Sequence, residues 1–94
     1  MTHKPTERVL RILTLLAAHP EGLSLTQVTE LLHIPKSTLS PILQEMVQQK
    51  FLQLQDNSKL YSIGISSYCI GAAYEHEKTL LPYIKSIMKD VTRE

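Results

Sequence analysis

Two short helices joined by a three-residue turn constrain the fold of this chain more than any other feature. They lie in the segment LSLTQVTELLHIPKSTLSPIL, residues 23–43. Ser24 and Gln27 have the spacing of a capping box, in which each side chain accepts a hydrogen bond from the other residue's amide. His33-Ile34-Pro35 forms the turn, and Ile34 is predicted to be the buried residue that fixes the angle between the helices. This layout predicts a helix-turn-helix.

The inner faces of both helices follow from the spacing of their apolar residues, which recur three and four positions apart. Pro41 interrupts the second helix, because proline lacks an amide hydrogen and clashes with the preceding turn. We therefore expect this helix either to begin late, with Ser37 or Ser40 as its N-cap, or to kink near Ser37. The predicted inner faces are Val28, Leu31 and Leu32 in the first helix, and Leu39, Ile42, Leu43, Met46 and Val47 in the second.

A β-hairpin is predicted directly after the helix pair. Residues 51–55 and 60–63 form its strands, and Asp56-Asn57-Ser58-Lys59 between them is rich in turn-forming residues. Gly64 ends the second strand, and helical spacing returns over residues 65–76. The helix-turn-helix and the hairpin together predict a mainly α (α+β) fold with a two-stranded β wing.

The first helix of the chain is predicted over residues 6–18, and His19-Pro20-Glu21-Gly22 ends it. Its apolar surface is wider than one stripe. Either the helix is deeply buried, or its second face meets a partner subunit. Val9, Ile12, Leu13 and Leu16 form the inward face, and Leu10, Leu15 and Ala17 widen it.

The last third of the chain carries an apolar surface that the preceding segment does not obviously cover. The helix over 65–76 is apolar on two sides, and a last helix, predicted from Thr79, has an apolar face of its own. Either two chains pair through this surface, or it belongs to a domain missing from this chain. We divide the chain into a domain of residues 1–64 and linker or dimerisation helices of residues 65–94.

Length and composition narrow the class of protein. Ninety-four residues suit one small domain, and a net charge of +1 counts only mildly against nucleic-acid binding. A single cysteine, Cys69, allows no disulfide within the chain, and no apolar run approaches the length of a membrane span. We expect a cytoplasmic protein without a membrane segment.

Signals of catalysis or metal binding are weak. The four histidines are scattered, and Cys69 and His76 alone are too few for a zinc site, which takes four ligands. The sequence has no glycine-rich phosphate loop and no nucleophile followed by a base at a recognisable spacing. We therefore expect no enzyme activity, no cofactor and no metal.

The order of first helix, helix-turn-helix, wing and linker helix resembles the N-terminal DNA-binding domain of the IclR family of bacterial transcription regulators. The resemblance covers about residues 6–76, and GLSLTQVTELLHIPKSTLSPIL and KLYSIG carry most of it. The segment LLPYIKSIMKDVTRE is similar to the start of the family's effector-binding domain. The chain departs from the family at Pro41, where an arginine is usual, and at Lys50, where a glycine is usual.

The resemblance implies a recognition helix over about residues 36–49, with Lys36, Ser37, Thr38 and Ser40 at its DNA end. A helix N-terminus suits an anion, although serine and threonine there are also ordinary caps. Gln44 lies on the same side and has the chemistry to pair with adenine, or is simply solvated. The wing, over about residues 51–63, offers Asn57 and Lys59 to the DNA.

Further polar and aromatic residues lie near the predicted recognition helix or on the first helix. Thr26 and Gln27, at the start of the bracing helix, are candidates for phosphate contact through side chain or backbone. Tyr61 is predicted to pack on the hairpin. Arg8 and Arg11 are predicted to lie on the solvated face of the first helix, with phosphate contact as the alternative.

The sequence thus predicts a DNA-binding transcriptional regulator that binds double-stranded DNA as a homodimer through the recognition helix and wing. The first helix and the helices of the last third supply the predicted dimer surface. A small-molecule effector is expected only if a C-terminal domain exists in a longer protein. The alternative is a winged-helix protein-interaction module that does not bind DNA.

Overall fold

The structure, a computed structural model, describes residues 2–76, and the last helix predicted from Thr79 lies outside them. Within residues 2–76, four helices and a two-stranded antiparallel sheet make up the fold, as predicted for a winged helix-turn-helix. The elements are α1 (Lys4–Ala17), α2 (Leu25–Leu32), α3 (Lys36–Gln48), β1 (Leu52–Leu54), β2 (Tyr61–Ile63) and α4 (Ile65–His76).

The wing pairs β1 with β2, with Leu52 opposite Ile63 and Leu54 opposite Tyr61. A third segment joins this sheet. The amide of Leu23 donates to the carbonyl of Tyr61 at 2.9 Å, and the amide of Tyr61 donates to the carbonyl of Leu23 at 2.7 Å. The sequence did not predict this bridge, which ties the residue before α2 to the wing.

The hydrophobic core draws on every element from α1 to β2. Ile12 and Leu16 of α1 are fully buried, so the predicted inward face of that helix is confirmed. The deeply buried alternative for α1 is wrong, since Leu10 on its other side is 57% exposed. Ile34 in the helix-turn-helix turn is buried, as predicted. The largest fully buried side chains are Ile12, Leu16, Val28, Leu39, Leu43 and Leu52.

The capping box of α2 is present as predicted. The amide of Gln27 donates to Ser24 Oγ at 3.2 Å, and the amide of Ser24 donates to Gln27 Oε1 at 2.8 Å. The predicted inner face is wrong at one residue, Leu31, whose side chain is largely exposed. Val28 and Leu32 are one turn apart and both face the core. Successive residues of a helix are rotated by about 100°, so Leu31, the residue before Leu32, points away from that face.

The start of α3 corrects the sequence-based expectation. The helix begins at Lys36, so the late start with Ser37 or Ser40 as N-cap is wrong. Pro35 is the N-cap, and its carbonyl accepts from the amides of Thr38 and Leu39 at 3.0 and 2.9 Å. Pro41 lies inside the helix. Its missing amide removes one intrahelical hydrogen bond, and the buried residues of α3 hold the helix against the core on both sides of it.

A Schellman motif closes the C-terminal end of α3. The amide of Lys50 donates to the carbonyl of Val47, and the amide of Phe51 donates to the carbonyl of Met46, both at 2.9 Å. Lys50 occupies the left-handed position with φ of 68°. Gly64 crosses close by, and a β-carbon there would lie 2.5 Å from the Lys50 carbonyl oxygen.

The N-terminus of α4 docks onto this same end of α3. The amide of Ser66 donates to the Lys50 carbonyl at 2.8 Å, and Ser66 Oγ donates to the Gln49 carbonyl at 3.0 Å. Ser67 Oγ donates to the Phe51 carbonyl at 2.8 Å. Donors at the start of one helix thus bind the free carbonyls that follow the other, and we call these residues, 49–51 and 64–67, the α3–α4 junction.

Candidate nucleic-acid interface

The first turn of α3 is open to a ligand. Lys36 and Ser37 are exposed, Thr38 is half-buried, and no side chain caps the helix. The alternative interpretation, in which serine and threonine merely cap α3, is therefore not supported. Among the described residues, the amides of Lys36 and Ser37 have no hydrogen-bond acceptor. Free amides at the positive end of a helix dipole favour an anion such as a DNA phosphate.

One exposed row of α3, which we call the outer stripe, runs along the side opposite the core. It consists of Ser37, Pro41, Gln44 and Gln48, spaced four, three and four residues apart, and all four are exposed. Ser40 lies beside the row and is half-buried. The stripe carries no charge, so its chemistry suits base edges better than phosphates.

The wing turn places a cation beside the start of α2. Lys59 is exposed, adopts φ of 60°, and donates its amide to the Gln55 carbonyl at 2.9 Å. Its side chain and Thr26 line one surface groove between the wing and α2. Asn57 is exposed in the same turn. The structure therefore brings Thr26 and Lys59 together on one groove, whose lining includes no residue of the outer stripe.

Gln27 is committed to helix capping. Its amide and its Oε1 atom are both used in the capping box with Ser24. Only its Nε2 group remains available to donate to a phosphate, so Gln27 is a weaker candidate than the neighbouring Thr26, whose side chain is exposed.

A sequence model of a protein family, described as the IclR helix-turn-helix domain, matches residues 5–56, more than half of the chain. This chain belongs to the IclR family. The matched region contains α2, α3, β1 and all but the first residue of α1, so it includes the first turn of α3 and the outer stripe.

Three solved structures have a similar fold. The IclR transcriptional regulator from Alicyclobacillus acidocaldarius is 26% identical over 77% of this chain and 29% of its own, with a TM-score of 0.72. The Agobacterium tumefaciens repressor BlcR is 27% identical over 78% of this chain and 29% of its own, with a TM-score of 0.69. Pseudomonas aeruginosa HmgR is 24% identical over 98% of this chain and 41% of its own, with a TM-score of 0.71. At this identity the similarity shows the fold alone.

The chain spans less than a third of the first two of these regulators. No curated protein sequence matches it. The matching family model is that of a helix-turn-helix domain, and the first two similar structures are named as a transcriptional regulator and a repressor.

Two residues gain a physical explanation within this IclR-type fold. Lys50 stands where the resemblance to the family implies a glycine, and its positive φ explains why glycine suits the position. Arg11 donates from Nη2 to the Leu32 carbonyl at 2.9 Å, at the end of α2. Arg11 is exposed, but its guanidinium holds α1 to the helix-turn-helix, which neither interpretation from the sequence anticipated.

The remaining predictions concern packing and metals. Tyr61 is buried on the hairpin, as predicted. Within residues 2–76, no three metal-binding side chains come together, and Cys69 is exposed. In the same range, no helix has the length and apolar character needed to cross a membrane.

Proposed function

We propose that this chain binds duplex DNA as a homodimer and regulates transcription, with α3 in the major groove and the wing against the flanking backbone. The open first turn of α3, followed by the uncharged outer stripe, is the observation that carries the proposal. It combines an anion site at the start of one helix with a surface for base edges along the same helix, as a recognition helix requires.

Within this proposal, each predicted residue has a distinct role. Lys36 and the free amides of the first turn bind a phosphate, with Ser37 and Thr38 as further donors. Ser40 and Gln44 face base edges, and Gln44 reads adenine. A second set of residues binds the flanking backbone: Thr26 and Lys59, which line the groove beside the wing, and their exposed neighbours Gln27 and Asn57.

Homodimer formation rests on the apolar surface of α4. Ile65, Tyr68, Ile70 and Tyr74 are between 50% and 68% exposed. Four large apolar side chains on one twelve-residue helix are more than isolated exposed residues, and they favour a protein interface. The exposed Leu10 of α1 is a second candidate for this interface.

Fluorescence anisotropy with mixed-sequence duplex DNA at low salt tests DNA binding. Lys36→Ala and Lys59→Ala are each expected to weaken binding to all sequences and to reduce the salt slope by about one. Lys4→Ala, on the exposed start of α1, is the matched control and should leave the slope unchanged. Absence of binding by the parent protein at low salt would refute the proposal and leave the interaction module, which the low net charge favours.

The base-reading role of Gln44 needs a separate readout. Gln44→Ala is expected to relax the preference at one base position in sites selected from random duplexes, with little change elsewhere. Unchanged affinity and unchanged preference would show that Gln44 is not a readout residue. Sedimentation at tens of micromolar tests the dimer, and a purely monomeric protein would contradict it.

A further inference from the structure

Pro41 occupies the centre of the exposed side of α3. It lies four residues after Ser37 and three before Gln44, so all three side chains belong to the outer stripe. Pro41 is exposed, whereas the residues that hold the helix to the core, Leu39 and Leu43, are fully buried. Packing against the core therefore does not explain why proline stands at this position.

Proline is also costly here. It lacks the amide that would donate to the Ser37 carbonyl, and its ring crowds the preceding turn of the helix. Most residues at an exposed site inside a helix would make the helix more stable. A residue that weakens the helix without serving the core suggests a role at the surface it presents.

The chemistry of the ring narrows that role. Its exposed atoms are methylene groups, which neither donate nor accept hydrogen bonds, so Pro41 has no means of binding a phosphate. Among the base edges of the major groove, the C5-methyl group of thymine is the apolar feature available for contact. A rigid apolar ring in the middle of an uncharged stripe matches that methyl group.

We propose that Pro41 is a specificity-determining residue that contacts the C5-methyl group of a thymine in the major groove. The inference rests on the proposed function, in which α3 enters that groove. Gln44, three residues further along the stripe, reads an adenine in the same proposal. Together the two side chains select a half-site that contains neighbouring A·T pairs.

Replacement of single thymines by deoxyuridine tests this contact directly, because it removes only the methyl group. Duplexes selected from a random pool supply the preferred site, and each thymine in it is replaced in turn. In anisotropy titrations, replacement of one particular thymine in each half-site should weaken binding of the protein to the duplex about fourfold. This is the loss expected when one buried methyl group is removed. The other replacements should have little effect.

Two variants separate the ring from the backbone. Both Pro41→Ser and Pro41→Val restore the missing amide, but only Pro41→Val keeps an apolar side chain. Pro41→Ser should bind the thymine and deoxyuridine duplexes equally, whereas Pro41→Val should retain the preference for thymine. Both variants should unfold at or above the temperature of the parent protein, because each restores a helical hydrogen bond.

The outcomes are distinct. If the parent protein binds DNA but no deoxyuridine replacement weakens binding, or if Pro41→Ser keeps the full preference, the inference is wrong while the proposed function stands. Loss of the preference in Pro41→Val as well would assign the effect to the backbone and overturn the inference. If the parent protein binds no duplex at all, the proposed function and the inference both fail.

Discussion

Lys50 is the position at which a single substitution tests the backbone geometry of the fold most directly. It follows the C-cap of α3 in the left-handed conformation, with φ of 68°, and both hydrogen bonds of the Schellman motif depend on that conformation. Its side chain is exposed, so changes there alter little packing. Lys50→Gly is therefore expected to stabilise the domain.

The magnitude follows from opposing effects. A residue with a β-carbon loses roughly 1–2 kcal/mol in the left-handed region, a cost that glycine avoids. Glycine in turn loses about 0.5–1 kcal/mol through the greater freedom of the unfolded chain. Loss of the lysine charge near a helix C-terminus removes at least about 0.3 kcal/mol. Lys50→Gly should therefore gain about 0.5 kcal/mol over the parent protein, and about 0.8 kcal/mol over Lys50→Ala, which keeps the strain.

Thermal and urea unfolding measure these differences, and about 1 kcal/mol corresponds to a shift of roughly 4–8 °C in a domain of this size. Gln48, two residues earlier and still helical, supplies the matched control. At this helical position the order of stability of the glycine and alanine variants is reversed: Gln48→Gly should be less stable than Gln48→Ala by about 1 kcal/mol. If glycine is the less stable substitution at both positions, Lys50 does not adopt the left-handed conformation and the reasoning is refuted.

Three further predictions concern other contacts of the fold. Gly64→Ala should destabilise the domain by about 2 kcal/mol or more, because its new methyl group would meet a backbone carbonyl oxygen at 2.5 Å; an unchanged unfolding temperature would contradict this. Arg11→Met should lose about 1 kcal/mol in urea unfolding, since it leaves the Leu32 carbonyl without its donor. The pKa of Glu21 is lowered by a backbone hydrogen bond and by the His19 side chain, so its stabilising effect is present above pH 4.5 and is lost as the pH falls below it. In melting curves, Glu21→Gln should therefore be less stable than the parent protein only at the higher pH values, and the two should converge in acid.

The parts of the fold that the sequence predicted correctly depend on local signals. The inward face of α1 follows from Ile12 and Leu16, which lie one turn apart, and burial of that row requires only a helix and a core. The capping box of α2 needs two residues three positions apart, so its signal lies within one turn. The wing follows from two short apolar strands and the polar turn between them.

The parts that the sequence missed join residues far apart in the chain or depend on backbone conformation. Leu23 pairs with Tyr61 through backbone atoms alone, so no pattern of side chains in the sequence indicates this β-bridge. Arg11 reaches the Leu32 carbonyl across 21 positions. The late start that Pro41 favoured for α3 is wrong, because the extended backbone of Pro35 supplies the carbonyl that begins the helix at Lys36, and Pro41 lies inside it.

The α3–α4 junction connects the two halves of the proposed function. Donors of Ser66 and Ser67 bind carbonyls that follow α3, and the absence of a side chain at Gly64 allows the close approach. These contacts fix the direction in which α4 leaves the recognition helix. In a dimer paired through α4, the separation of the two recognition helices is then set by the junction as well as by the dimer contact. Because half-sites must match that separation, residues that touch neither DNA nor the partner chain help to determine which operators the proposed dimer can bind.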